Sequence, residues 1–253
     1  RSERLTMTMR SSLFAIPLEG LSWSEIQQRL REQATLVFWI VTVNAEILVA
    51  AARDPLYAQT VRQADIRTVD GMGPWLALRL KGARTTRLTG VDLAEYLVQE
   101  AHTQKLRVAL FGGSSVVGQK AVHVLRERYP GLEVQHEAGG IVAADGNMDE
   151  AGEEACQRLT FFAPHILLVA LSHPRQERWL ARQLHQFPTV RVAVGTGGTI
   201  DIWGGVIPLA PRWMRQWGIE ALWRLIQQPR RIKRVLTAWL VFPLLWLMDE
   251  VKR

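Results

Sequence analysis

Ile66-Arg67-Thr68-Val69-Asp70-Gly71-Met72-Gly73-Pro74 reads as a short strand, a carboxylate, a glycine turn and a helix start. An apolar periodic stretch continues to Leu80. In open α/β sheets, ligands bind outside the carboxyl ends of the strands. Asp70 stands at such an end, which makes it the leading candidate for a site residue. The competing reading is an N-cap for a helix beginning near Gly73.

Outward from this stretch, apolar runs alternate with helical patterns. The expected strands are Leu36–Val41, Ile66–Val69, Leu106–Phe111, Leu132–His136, His165–Leu171 and Val190–Val194. Their Val, Ile and Leu content suits strands covered on both faces. Helical patterns occupy Asn44–Arg53, Pro74–Leu80, Val91–Thr103, Ser115–Arg128, Met148–Phe161 and Pro174–Gln186. The alternation predicts an α/β fold with a mostly parallel, Rossmann-like sheet and helices on both faces. The expected core is 13–205, in halves of about 13–90 and 104–200 with a cleft between them. A helical appendage, 211–253, follows.

Composition narrows the class. The 253 residues are 48% hydrophobic and 22% charged, an ordinary globular balance. The single cysteine, Cys156, excludes an intramolecular disulfide and a cysteine-cage metal site. It fits a reducing compartment. Arg1–Ser12 shows no apolar signal region, and no run is long enough for a spanning helix. The net charge is +7. From Pro211 onward there are nine Arg or Lys against three acids, so +6 of that charge belongs to the tail. Six of the ten tryptophans also lie from Trp203 onward.

Several polar groups fall at predicted strand ends. Thr42 and Asn44 are placed just past the first strand, beside Asp70 if the first two strands are neighbours. Taken alone they read as helix caps. An aspartate held there can act as a general base. Arg87 offers a guanidinium suited to a phosphate, or else a solvated loop arginine. Gly112-Gly113 leads into a helix whose first amides favour an anion or another polar ligand. No G-x-G-x-x-G occurs, and Gln119 stands where a P-loop needs lysine, so nicotinamide and ATP chemistry are disfavoured. Gln176, in Ser172-His173-Pro174-Arg175-Gln176-Glu177, can read a ligand edge with donor and acceptor. Asp201, after Gly195-Thr196-Gly197-Gly198, reads better as structural. No D-x-D motif and no His/Asp/Glu cluster signals a metal.

The tail carries its own pattern. Trp213 and Trp217 are one turn apart, and Arg224, Arg231 and Arg234 fall within about 80° of arc on an unbroken helix. Pro229 stands between them as a kink. Val235–Met248 is 14 residues long and contains Pro243. Basic residues, tryptophans and a short apolar run together suggest an interfacial membrane anchor. The alternative is a helix packed on the core or in a homo-oligomer.

These pieces, in this order, resemble the WecG/TagA/CpsF family of bacterial glycosyltransferases. The matching segments are Thr42-x-Asn44, Val69-Asp70-Gly71-Met72-Gly73, Arg87-x-x-Gly90-x-Asp92, Leu110-Phe111-Gly112-Gly113, Pro174-x-Gln176-Glu177, Gly204-Gly205, Ala210-Pro211, Trp213 and Gln227-x-Pro229-Arg230-Arg231. The resemblance implies inverting transfer of an N-acetylhexosamine-type, N-acetylmannosamine-like sugar. The donor is a UDP-sugar and the acceptor a polyprenyl-diphosphate-linked sugar of cell-surface polysaccharide synthesis, such as teichoic acid. It implies no metal, no cofactor and no nucleic acid, and a protein bound peripherally at the inner face of the cell membrane. Asp70 matches the proposed base. Thr42, Asn44, Arg87 and Gln176 match pocket residues, and Arg224, Arg231 and Arg234 match arginines of the appendage. His173 and Thr196-Gly197-Gly198-Thr199 depart from the family pattern, which leaves the donor sugar open. The rival classes are a non-catalytic nucleotide-binding module and a membrane-surface scaffold.

Overall fold

A computed structural model describes residues 12–19, 23–31, 37–83, 85–217, 219–229 and 232–251, without the side chains of 29, 212, 215 and 216. Its centre is a sheet of six strands: β3 (Phe38–Val43), β4 (Ile66–Val69), β5 (Val108–Phe111), β6 (Val134–Glu137), β7 (Ile166–Val169) and β8 (Val192–Gly195). Their order is β4-β3-β8-β7-β5-β6. The β3–β8, β8–β7, β7–β5 and β5–β6 pairs are parallel. Every residue of β3, β5, β7 and β8 is buried. That is why these strands read as unbroken apolar runs and not as alternating ones.

The chain forms two compact units. The first contains the N-terminal hairpin β1 (Ser12–Leu13) and β2 (Ile16–Pro17), then 42–89, and the C-terminal 209–253. Within 42–89 lie the helices α2 (Ala45–Arg53), α3 (Pro55–Arg62) and α4 (Met72–Leu80). A buried arginine ties the hairpin to this unit. Arg67 donates to the carbonyls of Pro17, Arg62 and Ala64 and to Glu19 Oε1 at 3.0 Å. Its charge is tolerable inside because its donors are taken up and a carboxylate opposes it.

The second unit contains α1 (Trp23–Arg31) and residues 90–208. Its helices are α5 (Gly90–Gln104), α6 (Ser115–Arg128), α7 (Glu150–Phe162), α8 (Arg175–Gln183) and α9 (Thr199–Trp203). Asp149 and Ser114 cap α7 and α6 by accepting from Gly152 N–H and Val117 N–H. Cys156 is buried in α7. Burial, with Glu153 and Glu137 nearby, pushes its thiol up to about 12. It is a packing residue and not a nucleophile.

The C-terminal segment is α10 (Arg212–Trp217), α11 (Glu220–Gln227), α12 (Ile232–Leu236) and α13 (Phe242–Val251). A π-helical stretch, Thr237–Val241, joins α12 to α13. Helix α12, this stretch and α13 follow one another without a gap, so the helical run continues through Pro243, which stands directly after the π turn. No helix among the described residues is long and apolar enough to cross a membrane.

The strands lie where the apolar runs predict, with shifted ends. The first runs to Val43, so Thr42 is inside β3 and not past it. Three elements carry weaker signals: the β1–β2 hairpin, α1 and α3. For α3, the cue is Asp54-Pro55. Asp54 accepts from Leu56 and Tyr57 N–H, and Pro55 opens the helix.

Candidate active site

The first unit brings Asp70 beside the end of β3. β3 and β4 are neighbours, and Asp70 N–H donates to the Val43 carbonyl at 2.9 Å. Asp70 is half-buried. It is not the cap of the following helix. Gly71 takes that position, with φ +87° and no side-chain cap bond. Only glycine adopts this conformation without strain. Thr42 is buried at 6% exposure. Asn44 does cap α2, its side-chain oxygen accepting from Ile47 N–H at 2.9 Å.

Arg87 joins the same region. Leu88 N–H donates to Val69 O at 2.8 Å, and Val69 bridges Arg87 in parallel sense. The chain thus continues the sheet past β4. The Arg87 guanidinium lies 3.3 Å from both carboxylate oxygens of Glu220, the first residue of α11. Both side chains are largely buried, at 18% and 23% exposure. Two further ion pairs join the C-terminal helices to this unit, Arg234 with Glu46 at 3.6 Å and Lys81 with Glu250 at 2.5 Å. Glu46 directly follows Ala45 in the first turn capped by Asn44.

The tail arginines do not share one helix. The chain breaks at Gln228 and Pro229, with Arg224 on α11 and Arg234 on α12. The expected common arc fails because Pro229 stops the helix outright. Arg231 lies outside the described residues.

The second unit arranges glycines and amides at its strand ends. Gly112 follows β5 with φ +100°, and a Cβ there would sit 2.8 Å from the Ala170 carbonyl. Its N–H donates to Glu137 O at 2.9 Å. Its carbonyl is bonded to the buried His136 ring at Nε2, 2.8 Å away. His136 in turn occupies the space beside Gly118, where a Cβ would lie 2.1 Å from the ring. Gly113 is exposed, just ahead of the α6 N-terminus.

Gln176, in the first turn of α8, is 6% exposed. Its Nε2 donates to Glu177 Oε1 at 2.6 Å, and its Oε1 accepts from Gly197 N–H at 3.3 Å. The acceptor-only carboxylate fixes which way the amide points. A Cβ on Gly195 would lie 2.6 Å from Gln176 Nε2, so the Gln176 amide keeps this place only beside glycine. Glu177 is 1% exposed, and a buried carboxylate needs such hydrogen bonds. Gln176 therefore organises the β8 loop while keeping one N–H and one lone pair for other use. Asp201 lies in the first turn of α9. Among the described residues, no group of three or more His, Cys, Asp or Glu could hold a metal ion.

The sequence has known relatives. The glycosyl transferase WecG/TagA/CpsF family matches residues 11–253. The chain belongs to that family. It is a glycosyltransferase, and the six-stranded sheet with its flanking helices is the frame for that activity. It is 27% identical over 238 residues to a protein of Staphylococcus aureus strain MRSA252, covering 92% of this chain and 91% of the relative. That relative is named N-acetylglucosaminyldiphosphoundecaprenol N-acetyl-beta-D-mannosaminyltransferase. Proteins of the same name from strains MW2 and NCTC 8325 match at the same identity and coverage.

Three residues of this glycosyltransferase escape a reading of the sequence alone: Glu46, His136 and Glu220. Each holds a candidate residue, a candidate loop or a tail arginine in place. Glu177 stands in the Pro174-x-Gln176-Glu177 segment, but its hold on the Gln176 amide shows only in the structure. The pairing of Glu220 with Arg87 spans 133 positions and leaves no local pattern.

Proposed function

We propose that this protein transfers an N-acetylhexosamine, N-acetylmannosamine or a close relative, from a UDP-sugar to a polyprenyl-diphosphate-linked N-acetylglucosamine, with inversion and without a metal. The observation that carries the reading is the family match across nearly the whole chain, with Asp70 at the carboxyl end of β4. The names of the Staphylococcus aureus relatives supply the acceptor and sugar class.

Asp70 is the general base. As the acceptor hydroxyl oxygen bonds to the anomeric carbon, its proton passes to the Asp70 carboxylate. The bond from that carbon to the diphosphate oxygen breaks, and UDP leaves with the electron pair. Thr42 and Asn44 frame the base. Arg87 meets negative charge growing on the leaving diphosphate, which is the term such sites stabilise most. Arg224, Arg231 and Arg234 add to that field. Gly113 binds the donor through its backbone amide and Gln176 through a fixed side-chain amide, while Gly112, whose own N–H is taken by Glu137 O, shapes the turn that presents Gly113.

The acceptor is a lipid, so the reaction belongs at a bilayer surface. Exposed Trp213, Trp217 and Trp239 beside exposed Lys233 suit the headgroup region. Peripheral attachment at the inner membrane face follows from this reading.

The test is an assay with UDP-N-acetylmannosamine and a short-chain polyprenyl-diphosphate-linked N-acetylglucosamine in EDTA. The expected product is a β-linked disaccharide on the lipid, formed at the rate seen without chelator. Loss in EDTA that Mg²⁺ restores refutes metal independence. No transfer by folded protein favours a non-catalytic module.

A further inference from the structure

Helix α4 begins at the turn that follows Asp70, and α13 runs beside it. Near one end, the Phe242 ring lies 3.3 Å from where a Cβ of Gly73 would be. Near the other, Lys81 is bonded to Glu250. Eight positions separate Gly73 from Lys81, and eight separate Phe242 from Glu250. The two helices therefore lie alongside in the same direction for about two turns.

Each helix turns an apolar stripe to the outside. On α13 it is Leu244, Leu247, Met248 and Val251, at spacing i, i+3, i+4 and i+7, all between 49% and 87% exposed. On α4 it is Leu76 and Leu80, one turn apart and 51% and 67% exposed. At 100° per residue, Leu76 and Leu80 flank the Gly73–Ala77–Lys81 line that meets α13, on the side away from buried Pro74 and Leu78. The two stripes adjoin as one surface.

The charges at the edge of this surface are mostly basic, and the half-buried Asp249 falls on the side of α13 turned away from the stripe, at 100° per residue. Glu220 and Glu250 of the C-terminal helices are turned to Arg87 and Lys81 of the same unit. Arg79 is exposed on α4, its guanidinium 5.5 Å from the Trp75 ring centre, and Lys233 is exposed on α12. A second copy would set like charge against like charge, which is costly. An anionic bilayer offers acyl chains to the stripes and phosphate to the rim.

We infer that α4 and α13 together form a bilayer-seating face, in which Leu76 and Leu80 enter the headgroup–acyl boundary beside Leu244, Leu247, Met248 and Val251. This deepens the proposed attachment of the tail and rests on that reading. Membrane contact then reaches the helix whose cap adjoins Asp70, so seating on the lipid and aiming the base are done by one element.

The experiment is sedimentation of the full chain with phosphatidylglycerol vesicles, in the absence of donor and acceptor. Leu76→Gln/Leu80→Gln is expected to weaken partition roughly tenfold, as apolar surface is withheld from the lipid. Leu244→Gln/Leu247→Gln is expected to do the same, and Phe161→Gln, on a 94% exposed residue of the second unit, to change nothing. Unfolding temperatures stay at the wild-type value, because all five side chains are exposed. Wild-type partition by Leu76→Gln/Leu80→Gln removes α4 from the membrane face. A wild-type protein that fails to sediment overturns the whole face. A wild-type dimer that both double variants dissociate, with partition unchanged, assigns the face to a second copy. Because no sugar is transferred in this measurement, failure of the proposed reaction would show only in the transfer assay.

Discussion

In the first unit, the ends of β3 and β4 carry Asp70, Asn44, Glu46 and Arg87, and three ion pairs bind the C-terminal helices to the body of the unit. In the second, the ends of β5 and β8 carry Gly112, Gly113, Gly195 and Gly197, held by His136 and by the Gln176–Glu177 pair. One region is built from charges whose partners are other charges. The other is built from backbone fitted so closely that a Cβ on Gly112 or Gly195 would lie under 3.0 Å from a neighbouring group. Charged pairs can exchange partners when an anionic ligand arrives. A glycine loop wedged against a ring or an amide keeps its shape. The first arrangement suits proton transfer and a leaving diphosphate, the second suits a fixed cradle.

The comparison requires that the C-terminal helices be part of the first unit's core. Phe242 is 2% exposed and packs edge-on against Phe14, with ring centres 6.1 Å apart. Phe242→Ala should cost about 3–5 kcal/mol in denaturant unfolding. Phe161→Ala should stay within about 0.5 kcal/mol of wild type. Equal, small effects would make the tail a detachable appendage.

Arg87 and Glu220 test whether the charges are functional. Arg87→Gln should lower transfer roughly 10- to 100-fold, the size of a lost charge-assisted bond. Glu220→Gln should preserve transfer or raise it, since it frees the guanidinium for diphosphate. Equal losses in the two variants would mean that the pair is structural only.

For the second unit, Gly118→Ala forces His136 off its place, because the new carbon would lie 2.1 Å from the ring. A cost of about 1–3 kcal/mol in unfolding is expected. The donor KM should rise as the Gly112 carbonyl loses its partner. A wild-type KM would separate the loop from donor binding.

The smallest expected effect is a pH slope. Burial lowers the His165 pKa, helped by the charges of Arg107 and Arg191. Its Nδ1 accepts the Arg107 backbone N–H at 3.0 Å, a bond that needs that nitrogen unprotonated. The ordinary value is 6.5. Above it, both folded and unfolded chains are neutral here, and the contribution is constant. As pH falls below it, the unfolded chain takes the proton first and stability declines, levelling once the folded ring protonates. His165→Gln should flatten unfolding temperature across that window. An unchanged slope would show that another group carries it.

Much of this was legible in the sequence. Parallel strands covered on both faces read as apolar runs, so β3, β5, β7 and β8 stood out. Asp70 stood out because it closes a strand at the sheet edge where ligands bind, with Thr42 and Asn44 expected at the neighbouring strand end. The hidden features were tertiary. The ion pairs of Arg87 and Arg234 join residues 133 and 188 positions apart, and periodicity reports nothing at that range. The Arg224–Arg234 arc failed for a local reason, since one proline sufficed to end a helix that the spacing assumed continuous. His136 was invisible because its role is set by Gly118 and Gly112 across the layer, not by its own neighbours.

The account turns on Asp70, and Asp70→Asn tests it most directly. The change keeps the shape of the side chain and removes its basicity. Single-turnover transfer from UDP-N-acetylmannosamine to the short-chain acceptor should fall about 100- to 10,000-fold, with the unfolding temperature unchanged. Wild-type transfer by a folded Asp70→Asn protein would contradict the assignment of the base and, with it, the division of labour between the two units.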